Sequence, residues 1–146
     1  AAMELAQKEK AKESKRLTEL RDYMISKVLK EIPRSYLNGH PTQRLPNNAN
    51  FTILDIEGES MILRLGEKGI CASTGSACTS RSLEPSHVLQ AIGLPKEVAH
   101  GSLRFSLGKD TTKKDVDYTV NELKKIVEEL RKISPIKINE KVMRGR

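Results

Sequence analysis

Tryptophan is absent and aromatic residues make up only 3% of the 146 positions, so whatever core the 37% hydrophobic content builds must be aliphatic. Cysteine is almost as scarce. Cys71 and Cys78 stand seven positions apart, which matches neither the usual structural-zinc spacing nor the paired framework of a small secreted domain. A reducing, cytoplasmic setting is therefore expected. No stretch approaches the roughly 20 apolar residues of a membrane helix, and no basic-then-apolar leader precedes the first helical segment, so no membrane partner is expected. Repeats and low-complexity tracts are missing too. Charge of one sign is lacking over most of the chain: the net charge is +7, yet basic and acidic residues interleave, and only residues 136–146, with four basic and one acidic, are strongly biased. Nucleic-acid binders concentrate Lys and Arg on one face, often beside stacking aromatics, so nucleic acid is not an expected partner.

What is present is helical punctuation around three short strands. Leu17, Leu20, Met24, Val28 and Ile32 keep the three-and-four spacing of one buried stripe, so a long amphipathic helix is expected up to Pro33. Residues 34–50 read as loop with turns, and residues 51–56 as a central strand. A short helix over 60–65, with Met61, Ile62 and Leu65 inward, is expected to stop at Gly66, before a short strand over 69–72. Pro85 suits a helix start, Val88, Leu89 and Ile92 the inner face of that helix, and Gly93 with Pro95 its end. Residues 102–107 alternate cleanly, placing Leu103, Phe105 and Leu107 on one face and Arg104 on the other. A last helix is expected from Thr112, with Asp115 completing a capping box and Val116, Val120, Leu123, Val127, Leu130 and Ile133 as its stripe. Ser134 and Pro135 end it, and the basic tail 136–146 is expected to be mobile. The fold class is α+β: a small, mostly antiparallel sheet covered on one side by helices.

Chemistry gathers around residues 72–83, where one sulfur sits in a run of small polar side chains that cannot bury a core. This reads as a mobile tether for the Cys78 thiol. Cys71 reads as a small buried residue, and His87 and His100 as capping or packing residues. The histidines and Cys78 form no metal-ligand pattern; Cys78 would ligate a metal or an iron–sulfur cluster only with ligands from a partner.

The string Ser76-Ala77-Cys78-Thr79-Ser80, then Ser82-Leu83-Glu84-Pro85-Ser86, then His100 and Arg104-Phe105-Ser106, resembles the C-terminal part of the pyridoxal-phosphate-dependent cysteine desulfurases, in their long-loop class. The likeness runs from about residue 45 to residue 134 and more loosely over the first helix. It implies the small domain of a fold-type I aminotransferase-like enzyme. Cys78 would take sulfur from L-cysteine as a persulfide, leaving L-alanine, and pass it to an iron–sulfur scaffold or another acceptor, while Arg104 would bind the substrate carboxylate. The family holds pyridoxal 5'-phosphate on a lysine in a Ser-x-His-Lys context, which none of this chain's lysines has. The resemblance therefore implies a linking helix over 1–32, a small domain over 33–135 with its cysteine loop at 73–82, and a tail over 136–146. The large cofactor domain would lie outside the chain, which alone would be inactive, and the intact enzyme would be a homodimer. Two alternatives stay open: a non-catalytic persulfide carrier or interaction module, which would need Cys78 but not Arg104, and a selenocysteine lyase.

Overall fold

The computed structural model describes residues 1–74 and 85–143. Helix α1 (Ala2–Glu31) ends where the sequence places Pro33, and Ile32 takes the extended geometry that a following proline favours. Its burial starts at Leu17 and continues through Arg21, Met24 and Val28; the first turns are exposed. Three antiparallel strands follow in the spatial order β1 (Ser35–Leu37), β2 (Asn48–Ile53), β3 (Ser102–Ser106). The segment read as loop thus contributes β1 and the first half of β2, which begins at Asn48 and ends at Ile53. Strand β1 has three residues, too few for a period-two signal to stand out.

Between β2 and β3 lie α2 (Gly58–Glu67), α3 (His87–Ala91) and α4 (Lys96–Ala99); α5 (Lys113–Ile133) comes after β3. Gly66 sits inside α2, and the left-handed residue that stops the helix is Gly69, at φ 72°. No strand forms over 69–72; only Ser73 joins the sheet, by an isolated bridge to Arg104. Helix α5 opens on the expected capping box, in which the Thr112 hydroxyl accepts from Asp115 N–H while the Asp115 carboxylate accepts from Thr112 N–H.

Helices α1, α2 and α5 cover one sheet face. Leu17, Met24 and Val28 meet Ala49, Phe51 and Ile53 of β2, Met61 and Leu65 of α2, Leu103 and Phe105 of β3, and the α5 stripe from Val116 to Leu130. Phe51 and Phe105 pack edge to face at 6.4 Å. Ile133, expected in that stripe, is 74% exposed, whereas Ile126 is buried. A second cluster joins Leu54, Leu89, Leu94, Val98, Ala99 and Met143, with Tyr36 of β1 against it. Tyr36 pairs with Thr52 across the sheet, so its side chain lies on the face opposite Phe51. Helical cover is therefore two-sided. The tail expected to be mobile is packed as far as Met143, through a 3-10 turn at Glu140–Met143.

Candidate functional site

The alternation that sends Ala49, Phe51, Leu103 and Phe105 into the core sends Asn48, Asn50, Thr52, Ser102 and Arg104 to the opposite face. Asn50 faces Arg104 and Thr52 faces Ser102 in the β2–β3 register. Beside them Asn38, next to β1, donates from Nδ2 to Asn50 Oδ1 at 2.7 Å and to Thr52 Oγ1 at 2.9 Å. The Thr52 and Ser102 hydroxyls lie 3.1 Å apart. Asn38, Thr52 and Ser102 are all buried, so this is a satisfied polar network beneath the sheet surface, of the kind that holds neighbouring groups in one geometry.

Arg104 stands at the edge of that network, exposed as expected, and its side chain makes no hydrogen bond or ion pair among the described residues. It lines a groove of about 410 Å³ together with Asn38, Asn50, Arg44, Val88 of α3 and Ile92, the C-cap residue of that helix. Val88 and Ile92, expected inward, are 56% and 46% exposed and form a rim, because the second cluster takes only Leu89 from α3. Among the described residues no Asp or Glu lines the groove, while two guanidinium groups do. Arg44 donates from Nη2 to Asn38 O at 2.8 Å, but its Nε and Nη1 are buried without partners among the described residues. Burial foremost, and then the neighbouring Arg21, hold its pKa below the usual arginine value. Two guanidinium groups and no acid in the described lining make this a place for an anion.

The backbone of Arg104 is held on both sides. Asn50 of β2 faces it on one, and on the other its N–H donates to Ser73 O at 2.6 Å while its C=O accepts from Ser73 N–H at 3.0 Å. Thr74 is pressed against Gly58, where a Cβ would stand 2.6 Å from Thr74 Cγ2, so only glycine admits this approach. Cys78 and the cysteine loop expected at 73–82 fall, from residue 75 onward, outside the described residues. The chain is described again from Pro85, whose C=O accepts from Gln90 Nε2 at 3.0 Å, and Ser86, which is buried as the N-cap residue of α3.

Cys71 is exposed and free rather than buried. Without a strand over 69–72, nothing turns its side chain inward. It lines a different groove, with Met24, Phe105, Thr111 and Asp115. His87 is the exposed first residue of α3, and His100 ends α4 and accepts from Gly58 N–H on its carbonyl at 2.8 Å. Neither lines the Arg104 groove, and no metal-holding cluster of His, Cys, Asp or Glu exists among the described residues. No described lysine lines the groove either, so these residues do not fit a covalent anchor for pyridoxal phosphate. The residues that sequence reasoning missed are Asn38, Arg44 and Asn50. For Asn50 a signal was there: Asn48, Asn50 and Thr52 alternate with Ala49, Phe51 and Ile53, a period of two that starts three residues before the apolar run.

Residues 1–119 match the family described as aminotransferase class-V. The chain is 58% identical over 136 residues to a protein of Dictyoglomus turgidum named cysteine desulfurase IscS, covering 93% of this chain and 34% of that protein. It is 56% identical to a protein of the same name from Methanosarcina thermophila, covering 92% of this chain and 33% of that one. A solved NifS-like protein superposes with a TM-score of 0.76 at 28% identity, over 88% of this chain and 32% of its own. The chain thus spans about a third of the length of the curated relatives it matches.

Proposed function

The chain belongs to the aminotransferase class-V family, and on that premise we propose that it is the C-terminal part of a cysteine desulfurase, one that takes sulfur from L-cysteine as a persulfide on Cys78. The observation that carries the reading is the double hydrogen bond between Arg104 and Ser73. One residue anchors both the side chain suited to a substrate carboxylate and the start of the chain that leads to the thiol. Five residues of chain separate Ser73 from Cys78, a reach of at most about 18 Å.

Arg104 orients the amino acid by a two-bond contact with its carboxylate, on a strand that keeps the guanidinium from wandering. Cys78, as thiolate, attacks the substrate sulfur. The new S–S bond forms as the C–S bond breaks; the electron pair of that bond stays with carbon, which takes up a proton to give L-alanine. The persulfide then passes to an acceptor such as an iron–sulfur scaffold. Pyridoxal 5'-phosphate, whose ring makes such a bond labile, and the lysine that carries it belong on this reading to a large domain outside the chain. Residues 1–32 link that domain to the small domain at 33–135, and the intact enzyme is a cytoplasmic homodimer.

The test uses the enzyme assembled with its cofactor-bearing part and L-cysteine labelled with radioactive sulfur. Alkylation and peptide mapping should place the label on the peptide containing Cys78. Cys78→Ala should still bind substrate but lose multiple-turnover transfer, because an external thiol does not match the effective concentration of a tethered one. Cys71→Ala, an exposed site, should keep both. Label on Cys71, or undiminished transfer by Cys78→Ala, would sink the assignment.

A further inference from the structure

We propose that the C-terminal segment, residues 136–143, is a strap that positions α3, and through α3 the wall of the Arg104 groove, with Met143 as its positioning residue. Helix α3 has five residues, far below the length at which a helix is stable by itself, and Leu89 is its single buried residue. Its place is therefore decided by what Leu89 packs against. That is the second cluster, to which the segment contributes Met143, 7% exposed, with Ile138 and Val142 against it. Leu89 also lines the groove with Arg104, beside Val88 and the C-cap residue Ile92. The cluster that holds the strap thus seats the same side chain that joins α3 to the groove wall.

An unusual hub holds the strap down. Arg34 and Asp55 are the non-glycine residues with positive φ among those described, at 58° and 73°, a backbone that side chains seldom adopt. The two bond each other with both ends of the guanidinium fork, Nε to Oδ2 at 2.9 Å and Nη2 to Oδ1 at 3.1 Å. The same two side chains grip the strap: Arg34 Nη2 donates to Ile138 O at 2.7 Å, and Ile138 N–H donates to Asp55 Oδ1 at 2.8 Å. Glu140 then reaches back to the Tyr36 hydroxyl and stands 3.8 Å from Arg34. Burial pushes the Asp55 carboxyl up, but the Ile138 N–H and Arg34 outweigh it and hold it below the ordinary aspartate value, so it serves as a charged acceptor. Arg34, Tyr36 of β1, Asp55 just past β2 and the tail are thereby fastened at one point, and the positive-φ backbones of Arg34 and Asp55 persist because this network over-determines them.

The consequence for substrate rests on the desulfurase reading; the mechanical claim does not. The first measurement is amide hydrogen exchange on the whole chain with Met143→Ala, which removes the strap's one buried side chain from the second cluster. The amides of Ile92, Gly93 and Leu94, which close α3, should exchange about tenfold faster or more, while those of β2, β3 and α5 hold their protection. Met143→Leu, close in volume, should restore α3. Unchanged exchange in α3, or a uniform rise across all elements, would overturn the proposal. The second measurement is steady-state kinetics of the assembled enzyme, where Met143→Ala should raise KM for L-cysteine several-fold with kcat nearly unchanged; a wild-type KM beside a loosened α3 would also overturn it. Failure of the desulfurase reading looks different, since the unaltered assembled enzyme would then turn over no cysteine at all.

Discussion

At the scale of single residues, Arg104 and Arg44 show how position divides the work of one side-chain type. Both line a groove without a described acid, but Arg104 presents an open fork on a strand bonded along both edges, whereas Arg44 spends Nη2 on Asn38 O and buries Nε and Nη1. A carboxylate arriving in the groove therefore finds Arg104 ready. Replacing it in the assembled enzyme should raise KM for L-cysteine about thirtyfold, since two bonds to a charged group covered by the rest of the protein are worth about 2 kcal/mol or more. Arg104→Lys should recover little, because an ammonium lacks the fork. Steady-state kinetics of both variants decide it: wild-type KM in each would make Arg104 a surface charge, and transfer that needs Cys78 but not Arg104 would favour a persulfide carrier.

At the scale of elements, the start of β3 is crowded where the last turn of α2 is open. A Cβ on Gly101 would lie 2.4 Å from Ile53 O and 3.0 Å from Ile56 O, both backbone atoms that cannot step aside without breaking β2–β3 pairing. A Cβ on Gly66 meets nothing within 4 Å. The same substitution should then act with opposite signs. Gly101→Ala should cost about 1–3 kcal/mol of unfolding free energy through overpacking, and Gly66→Ala should add about 0.5–1 kcal/mol by removing glycine's freedom from a helix. Urea unfolding of the two variants measures both; stabilisation by Gly101→Ala would contradict the close approach on which the strand's position depends.

At the scale of the whole molecule, the proposed desulfurase reading makes the chain one wall of a cleft whose other wall belongs to a further domain. Met3 and Leu5, 88% and 55% exposed on the first turns of α1, suit contact with the rest of a longer polypeptide, in keeping with a chain that spans about a third of its relatives. Three ion-paired lysines are poor imine formers. Asp117, Glu9 and Glu122 hydrogen-bond Lys27, Lys109 and Lys125 and push each above the usual amine value, which lowers the share of free amine able to form an imine with an aldehyde. Incubating this chain with pyridoxal phosphate, reducing with borohydride and mapping peptides should show no stoichiometric pyridoxyl-lysine. One such adduct at a single lysine would place the cofactor site inside the chain and overturn the division into two parts.

The amino-acid sequence by itself determined those features whose signal is local and repeated. The α1 stripe, the α5 stripe from Val116 to Leu130, the Thr112–Asp115 box, the stop at Pro33 and the alternation that turns Arg104 away from the core all rest on contacts within a few residues, and the structure has each of them. Tertiary structure alone decided the rest. Strand β1 exists because Ser35, Tyr36 and Leu37 find Ile53, Thr52 and Phe51, not because three residues display a period. Cys71 is exposed because the chain stays out of the sheet until Ser73 meets Arg104, thirty-one positions on. The tail packs because Arg34 and Asp55, brought together from positions 21 apart, grip Ile138 another 83 residues along. Such pairings join residues far apart in the chain, and their energy appears only once the intervening chain has been folded around them.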